Sequence, residues 1–218
     1  MDGVNGLHHI TAIAGPAQEN LDFYAGVLGM RLVKRSVNQD DPGTYHLFYA
    51  DAAGNPGTDL TFFPWARTPK GRNGTSMSVE VPLAVPTGSL DYWADRLGRL
   101  GFFTAPVETR FGELTLPFQD PHGMNVALAE TSDPRLFSQW DNSPVPVEYQ
   151  MRGLHAARVF IPYAHKGSLC FSSIVGSDIS KAKLVQVHRV HRFVTFIGQR
   201  GEPFVRLFGL IFPPGFHL

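Results

Sequence analysis

The sequence predicts an α+β fold of two tandem β-α-β-β-β modules. Three observations predict it. One order of elements occurs twice, over residues 6–63 and 76–130. Each copy holds a single amphipathic helix followed by glycine. Turns bearing proline and glycine separate its β-favouring runs. Self-similarity on this scale signals architecture and takes precedence over any short motif.

In the first copy, residues 7–13 (Leu-His-His-Ile-Thr-Ala-Ile) read as a strand. Residues 17–28 read as a helix, because Leu21, Tyr24, Val27 and Leu28 fall on one stripe and Gly29 follows in the usual stop position. Residues 30–37 return as a strand, Asp41-Pro42-Gly43 turns, and residues 44–50 continue with Tyr45, Phe48 and Tyr49. Gly54-Asn55-Pro56-Gly57 turns again and residues 58–63 close the unit. The second copy repeats the plan. Strand 76–85 leads to helix 89–100, with Leu90, Trp93, Ala94, Leu97 and Leu100 on one face and Gly101 after it. Strands 103–109 and 113–119, the turn Asp120-Pro121-His122-Gly123 and strand 124–130 complete it.

Residues 131–150 carry Pro134, Pro144 and Pro146 among Ser, Asp and Asn, the composition of a linker. Over residues 151–160, Arg152-Gly153-Leu154-His155-Ala156-Ala157 echoes Asn5-Gly6-Leu7-His8-His9-Ile10, as a third module start would. Residues 161–218 then lose the pattern. Apolar and basic runs over 184–212 suit strands, but no amphipathic helix precedes them. Charge also changes: residues 1–165 hold 12 Lys/Arg against 17 Asp/Glu, whereas residues 166–218 hold 7 against 2. This divergent basic tail suits a frame-shifted or aberrant gene end; the alternative is a two-module product that completes its site between chains.

With 19 basic and 19 acidic residues the chain is neutral, which gives no footprint for nucleic acid or an anionic membrane. No apolar run reaches spanning length and the N-terminus lacks a signal-peptide pattern, so the expected location is the cytoplasm. The single Cys170 can form neither an intrachain disulfide nor a thiolate metal cage, and reads as an inert thiol.

The runs Gly6-Leu7-His8-His9-Ile10-Thr11-Ala12, Asn20-Leu21-Asp22-Phe23-Tyr24, Val27-Leu28-Gly29 and Asn38-Gln39-Asp40-Asp41-Pro42-Gly43-Thr44-Tyr45-His46-Leu47, with Thr61-Phe62-Phe63-Pro64-Trp65, resemble the first module of the vicinal oxygen chelate superfamily. Within it the chain is most similar to two-domain ring-cleaving dioxygenases of hydroquinones. Gly88-Ser89-Leu90-Asp91-Tyr92-Trp93, Arg110-Phe111-Gly112-Glu113, Asp120-Pro121 and Ser143-Pro144-Val145-Pro146 extend the resemblance to about residue 158. It implies curved mixed sheets with helices outside, and extradiol-type cleavage of a hydroquinone or catechol with O2. The metal it implies is Fe(II), or alternatively Mn(II), in a two-His, one-carboxylate facial triad. His9 matches the first ligand, His8 an acid–base group beside it, and Thr11 a pocket residue.

The other two ligands of such a site belong to a fourth module that this sequence does not show. His155 aligns with His8 and Ala156 with the ligand. The carboxylate position on the last strand aligns with Phe62 and with Ala127, and Glu130 alternates to the wrong face. His8 has a bland reading as a surface imidazole, since neighbours on a strand face opposite ways unless a bulge intervenes. His46 and His122 read as structural, and His188 with His191 as part of a solvated basic segment. Of Phe62, Phe63, Trp65, Phe111 and Phe118, most read as core and some as walls for an aromatic substrate. Rival functions are a glyoxalase-like lyase or transferase, a metal-free aromatic-binding module, and an inactive remnant. A homo-oligomer is open in each.

Overall fold

The computed structural model describes residues 6–67, 69, 71 and 77–160, and beyond them the backbone of three strands at 185–187, 193–197 and 204–211. The Cys170, His188 and His191 readings lie outside the described residues.

Strand β1 (Gly6–Ala14) leads into helix α1 (Ala17–Leu21), which continues as a π-helical turn over Asp22–Val27. Strands β2 (Arg31–Val37), β3 (Tyr45–Ala50) and β4 (Asp59–Pro64) follow. The second copy comprises β5 (Met77–Pro86), α2 (Leu90–Arg99), β6 (Glu108–Arg110), β7 (Glu113–Gln119) and β8 (Asn125–Thr131). After them come β9 (Gly153–Leu154), β10 (Ala156–Phe160), β11 (Val185–Val187), β12 (Phe193–Ile197) and β13 (Phe204–Ile211). The fold is α+β, with two mixed sheets and few helices.

One sheet has the order β13-β1-β4-β3-β2; the other runs β11-β12-β10-β5-β8-β7-β6, with β9 on β5. The copies match in pairing: β1 lies parallel to β4 as β5 lies parallel to β8, and the return strands are antiparallel. Strand β10 pairs antiparallel with β5. The basic segment, expected to hold strands without modular order, adds β13 parallel to β1 and β11-β12 beside β10.

Three local expectations are corrected. The helix after β1 is not uniformly α. The amides of Leu28 and Met30 reach back to the carbonyls of Phe23 and Tyr24, and the π turn lets both of these adjacent rings face the sheet. The buried stripe gains Phe23, which the expected stripe of Leu21, Tyr24, Val27 and Leu28 did not include. In the second copy Leu100 is exposed, because α2 ends at Arg99. The strand expected over 103–109 shrinks to Glu108–Arg110, with one isolated bridge from Thr104 to Phe118. Phe103 is exposed and no continuous ladder holds the rest of the segment.

Each helix packs on the outer face of its sheet. Tyr24 meets Phe62 at 4.4 Å and Tyr49 at 5.4 Å between ring centroids, all three fully buried. Side chains of this size each contribute roughly 1.5–3 kcal/mol on burial. The Tyr24 hydroxyl donates to Asp120 at 3.1 Å across the two copies, and burial with that carboxylate pushes the phenol's pKa well up. Residues 132–150 have no helix or strand yet are tied down: Asp51 accepts from the backbone amides of Ala53, Asn55 and Ser138, and Ser143 donates to Gly29. Among the described residues, no helix is long and apolar enough to cross a membrane.

Candidate functional site

Pairing register decides which side chains share the face of the first sheet opposite α1. His9 pairs with Asp59, and Thr11 with Thr61, between β1 and β4. Thr61 pairs in turn with Phe48 on β3. Residues paired in register, and those two along from them, share a face. His9, Thr11, Asp59, Thr61 and Phe63 therefore lie with His46 and Phe48, while Ile10, Ala12, Leu60 and Phe62 face the helix. This corrects the placing of the last-strand position on Phe62: the β4 residues on the His9 face are Asp59, Thr61 and Phe63.

The His8 and His9 rings meet edge to face, with their Nδ1 atoms 3.0 Å apart. Strict alternation would part them. Against β13, three steps of β1 from Leu7 to Ile10 span two steps from Val205 to Leu207, an extra residue of the kind that makes a bulge. The contact lets one ring donate to the other, so the tautomer of each fixes that of its neighbour.

The hydroxyls of Thr11, only 6% exposed, and of the fully buried Thr61 share a hydrogen bond at 2.9 Å. Thr61 also contacts His46 Nε2 at 3.0 Å. The His46 ring lies 4.0 Å from Phe48 and 4.2 Å from Phe63 between centroids. Burial, with the charges of His9 and Lys34, lowers the His46 pKa to about 4, so the ring is neutral near pH 7. Sequence alone gave His46 a structural role; its one available signal was strand parity with Phe48. Burial raises the Asp59 carboxyl to about 6, against a smaller opposing effect of Lys34.

The sequence-picked aromatics sort by face. Phe62 and Phe118 are core; Phe63 and Trp65 are partly buried and stack at 5.7 Å. Phe111 sits at φ 54 in the β6–β7 turn. His155 does not join His8: it bonds Glu113 at 2.7 Å and the Arg135 guanidinium at 3.0 Å in the second sheet. Beside it Glu80 is gripped by Arg110 and Arg158. Glu130 accepts from the Leu90 amide at 3.0 Å and so caps α2. His122 lies in its turn 3.4 Å from Glu19.

The donors that suit a metal on the His9 face are His9 itself and, across the ladder, the Asp59 carboxylate. Among the described residues no three His, Cys, Asp or Glu side chains converge as a metal cage. The described donors thus do not make up the complete set of a facial triad.

Residues 6–128 match the family described as the Glyoxalase/Bleomycin resistance protein/Dioxygenase superfamily. The chain belongs to this superfamily. Among its relatives, a Bacillus subtilis (strain 168) protein named "Putative ring-cleaving dioxygenase MhqO" is 40% identical over 173 residues, 79% of this chain and 55% of the relative. The chlorohydroquinone/hydroquinone 1,2-dioxygenase of Sphingobium indicum (strain UT26S) is 35% identical over 156 residues, 70% of this chain and 49% of that protein. A solved Bacillus subtilis structure described as a "putative dioxygenase" superposes with a TM-score of 0.78 at 36% identity, covering 94% of this chain and 63% of the other. The chain spans about half the length of the curated relatives it matches.

Proposed function

We propose that this superfamily member carries the aromatic-binding face of a ring-cleaving dioxygenase for hydroquinone- or catechol-type substrates, working with O2 in the cytoplasm. The observation that carries the proposal is the His8–His9 contact beside Thr11, on a sheet face whose other side chains include the rings of His46, Phe48 and Phe63. Apolar rings with a few convergent polar groups suit a small aromatic ligand. The names of the relatives point to the same chemistry.

In this proposal residues 6–63 and 76–130 are the two modules, 131–150 joins them to the segment from 151 onward, and the face of the first module binds substrate. His9 is the metal-ligand position and His8 exchanges a proton with the phenol as a general acid–base group. Thr11 holds a substrate oxygen. Fe(II) is the metal proposed, with Mn(II) as the alternative. One imidazole does not hold Fe(II), because affinity and selectivity come from the whole donor set. The proposal therefore requires further ligands from outside the described residues or from another chain.

The test is iron bound per chain after anaerobic reconstitution with Fe(II), beside His9→Ala. Near-stoichiometric iron that disappears in the variant, with oxygen uptake on hydroquinone, is the expected result. Iron retained in the variant would overturn the role of His9. No specific iron at all would remove dioxygenase activity from this chain alone.

A further inference from the structure

We infer that Lys34 is a specificity-determining residue that selects aromatic diols bearing an acidic side arm, such as a carboxylate. The inference rests on the aromatic-binding function proposed above and deepens it by naming a substrate class.

A bulge aims Lys34. From Leu32 to Lys34, β2 advances two residues while β3 advances one, from Tyr49 to Phe48. Val33 is the extra residue, and its insertion exchanges the two faces of the strand beyond it. Without the bulge Lys34 would pair with Leu47, which pairs with Phe62 on the helix side of the sheet. With it, Lys34 pairs with Phe48 and joins the His9 face. The neighbouring cations of β2 are engaged elsewhere: Arg31 donates to the Ala52 carbonyl, and Arg35 lies over Tyr45 at 5.5 Å.

Register then sets one row across the sheet: Lys34 on β2, Phe48 on β3, Thr61 on β4 and Thr11 on β1. The ammonium leans inward over the Phe48 ring, 5.2 Å from its centroid. Strands lie about 4.8 Å apart, so two spacings, roughly 10 Å, separate the ammonium from the side chains of β1. One aromatic ring with a short side arm bridges that distance. Its oxygens meet the end of the face that holds His9 and Thr11, and its side arm meets Lys34. His46, with Phe48 and Phe63 at 4.0 and 4.2 Å between centroids, floors the space between. Among the described residues the ion pairs engage arginines and histidines, so no carboxylate neutralises the exposed Lys34. Its charge reaches across the face: after burial and His9 it helps to lower the His46 pKa, and it opposes the burial that raises Asp59. An anionic arm on the ligand is the complement of that charge.

The test is anaerobic NMR titration of the full chain with hydroquinone, 2,5-dihydroxyphenylacetate and the uncharged methyl ester of that acid. The readout is the ratio of Kd between ester and acid, which a purely structural role of Lys34 would not move. The parent should bind the acid about three- to fivefold more tightly than the ester, the size of an exposed ion pair. Lys34→Met, which keeps an apolar stem over Phe48, should bring the ratio to one, and Lys34→Arg should keep it. About 0.5 M salt should shrink the parent's ratio toward one by screening. Equal Kd for acid and ester in the parent, with hydroquinone still bound, would overturn the role of Lys34 and leave the aromatic-binding function standing. A preference for the acid that survives in Lys34→Met would assign the selectivity to another group and overturn it too. If none of the three ligands binds, the aromatic-binding function fails and this inference falls with it.

Discussion

Replacing Gly153 with alanine tests the junction between the two sheets. Gly153 starts β9 at φ 111, where an L side chain is strained. Its neighbours tie both halves together. The Leu154 amide donates to the Gly57 carbonyl at 2.7 Å, and the Gly57 amide donates to the His8 carbonyl at 2.8 Å. On the other side, Arg152 and His155 donate to Ala84 and Pro82 of β5 at 2.7 and 2.9 Å. A Cβ on residue 153 would lie 2.6 Å from the Gly57 carbonyl oxygen and 3.2 Å from the Thr58 Cα. Both obstacles are backbone, so no rotamer change relieves them.

Alanine at positive φ costs about 1–2 kcal/mol. Shifting a paired strand adds on the order of 2 kcal/mol, the usual cost of overpacking. The lower entropy of the unfolded chain returns about 0.4–1 kcal/mol. A net loss of about 2–3 kcal/mol lowers Tm by roughly 4–12 °C at this chain length. Gly88 is the control, since its φ is 80 but a Cβ there meets nothing within 4 Å. Gly88→Ala should cost about 1 kcal/mol, roughly 2–4 °C. Thermal unfolding of both variants by circular dichroism decides the matter. Equal shifts would refute the argument, because they would show that the Gly57 carbonyl does not confine residue 153.

Two further outcomes follow from the faces of the first sheet. Phe62→Ala should cost about 3–5 kcal/mol, a fall of roughly 1–2 M in urea midpoint, and Phe63→Ala less than half as much; similar losses would mean that the face assignment is wrong. Asp59 has a folded pKa of about 6 against 3.8, so the native state binds the extra proton and stability falls as pH rises from about 4 to 6. Asp59→Asn should remove that fall and gain on the order of 1–3 kcal/mol at pH 7; an unchanged profile in urea titrations across this range would contradict it.

The repeated order of elements was legible because local period and turn chemistry write it directly. Leu90, Trp93 and Leu97 mark one helix face, and the turns at Asp41-Pro42-Gly43 and Asp120-Pro121-His122-Gly123 mark the returns. The His8–His9 signature was equally plain. The π turn was not legible, because Phe23, Tyr24, Val27 and Leu28 fit an ordinary helical stripe as well, and only the backbone bond from the Leu28 amide to the Phe23 carbonyl shows the wider turn. The short β6 was overestimated because β propensity reports a tolerance for extended structure, not a partner to pair with.

The sequence by itself determined the family, the repeat and the pair of histidines that opens the first strand, since each is written in consecutive residues. Tertiary structure alone decided that Thr61 and not Phe62 shares the His9 face, that His155 turns to Glu113, and that His46 reaches Thr11 through Thr61. These are matters of register between strands 15 to 50 residues apart. A slip of one residue would send each of those side chains to the opposite face without changing local propensity at all.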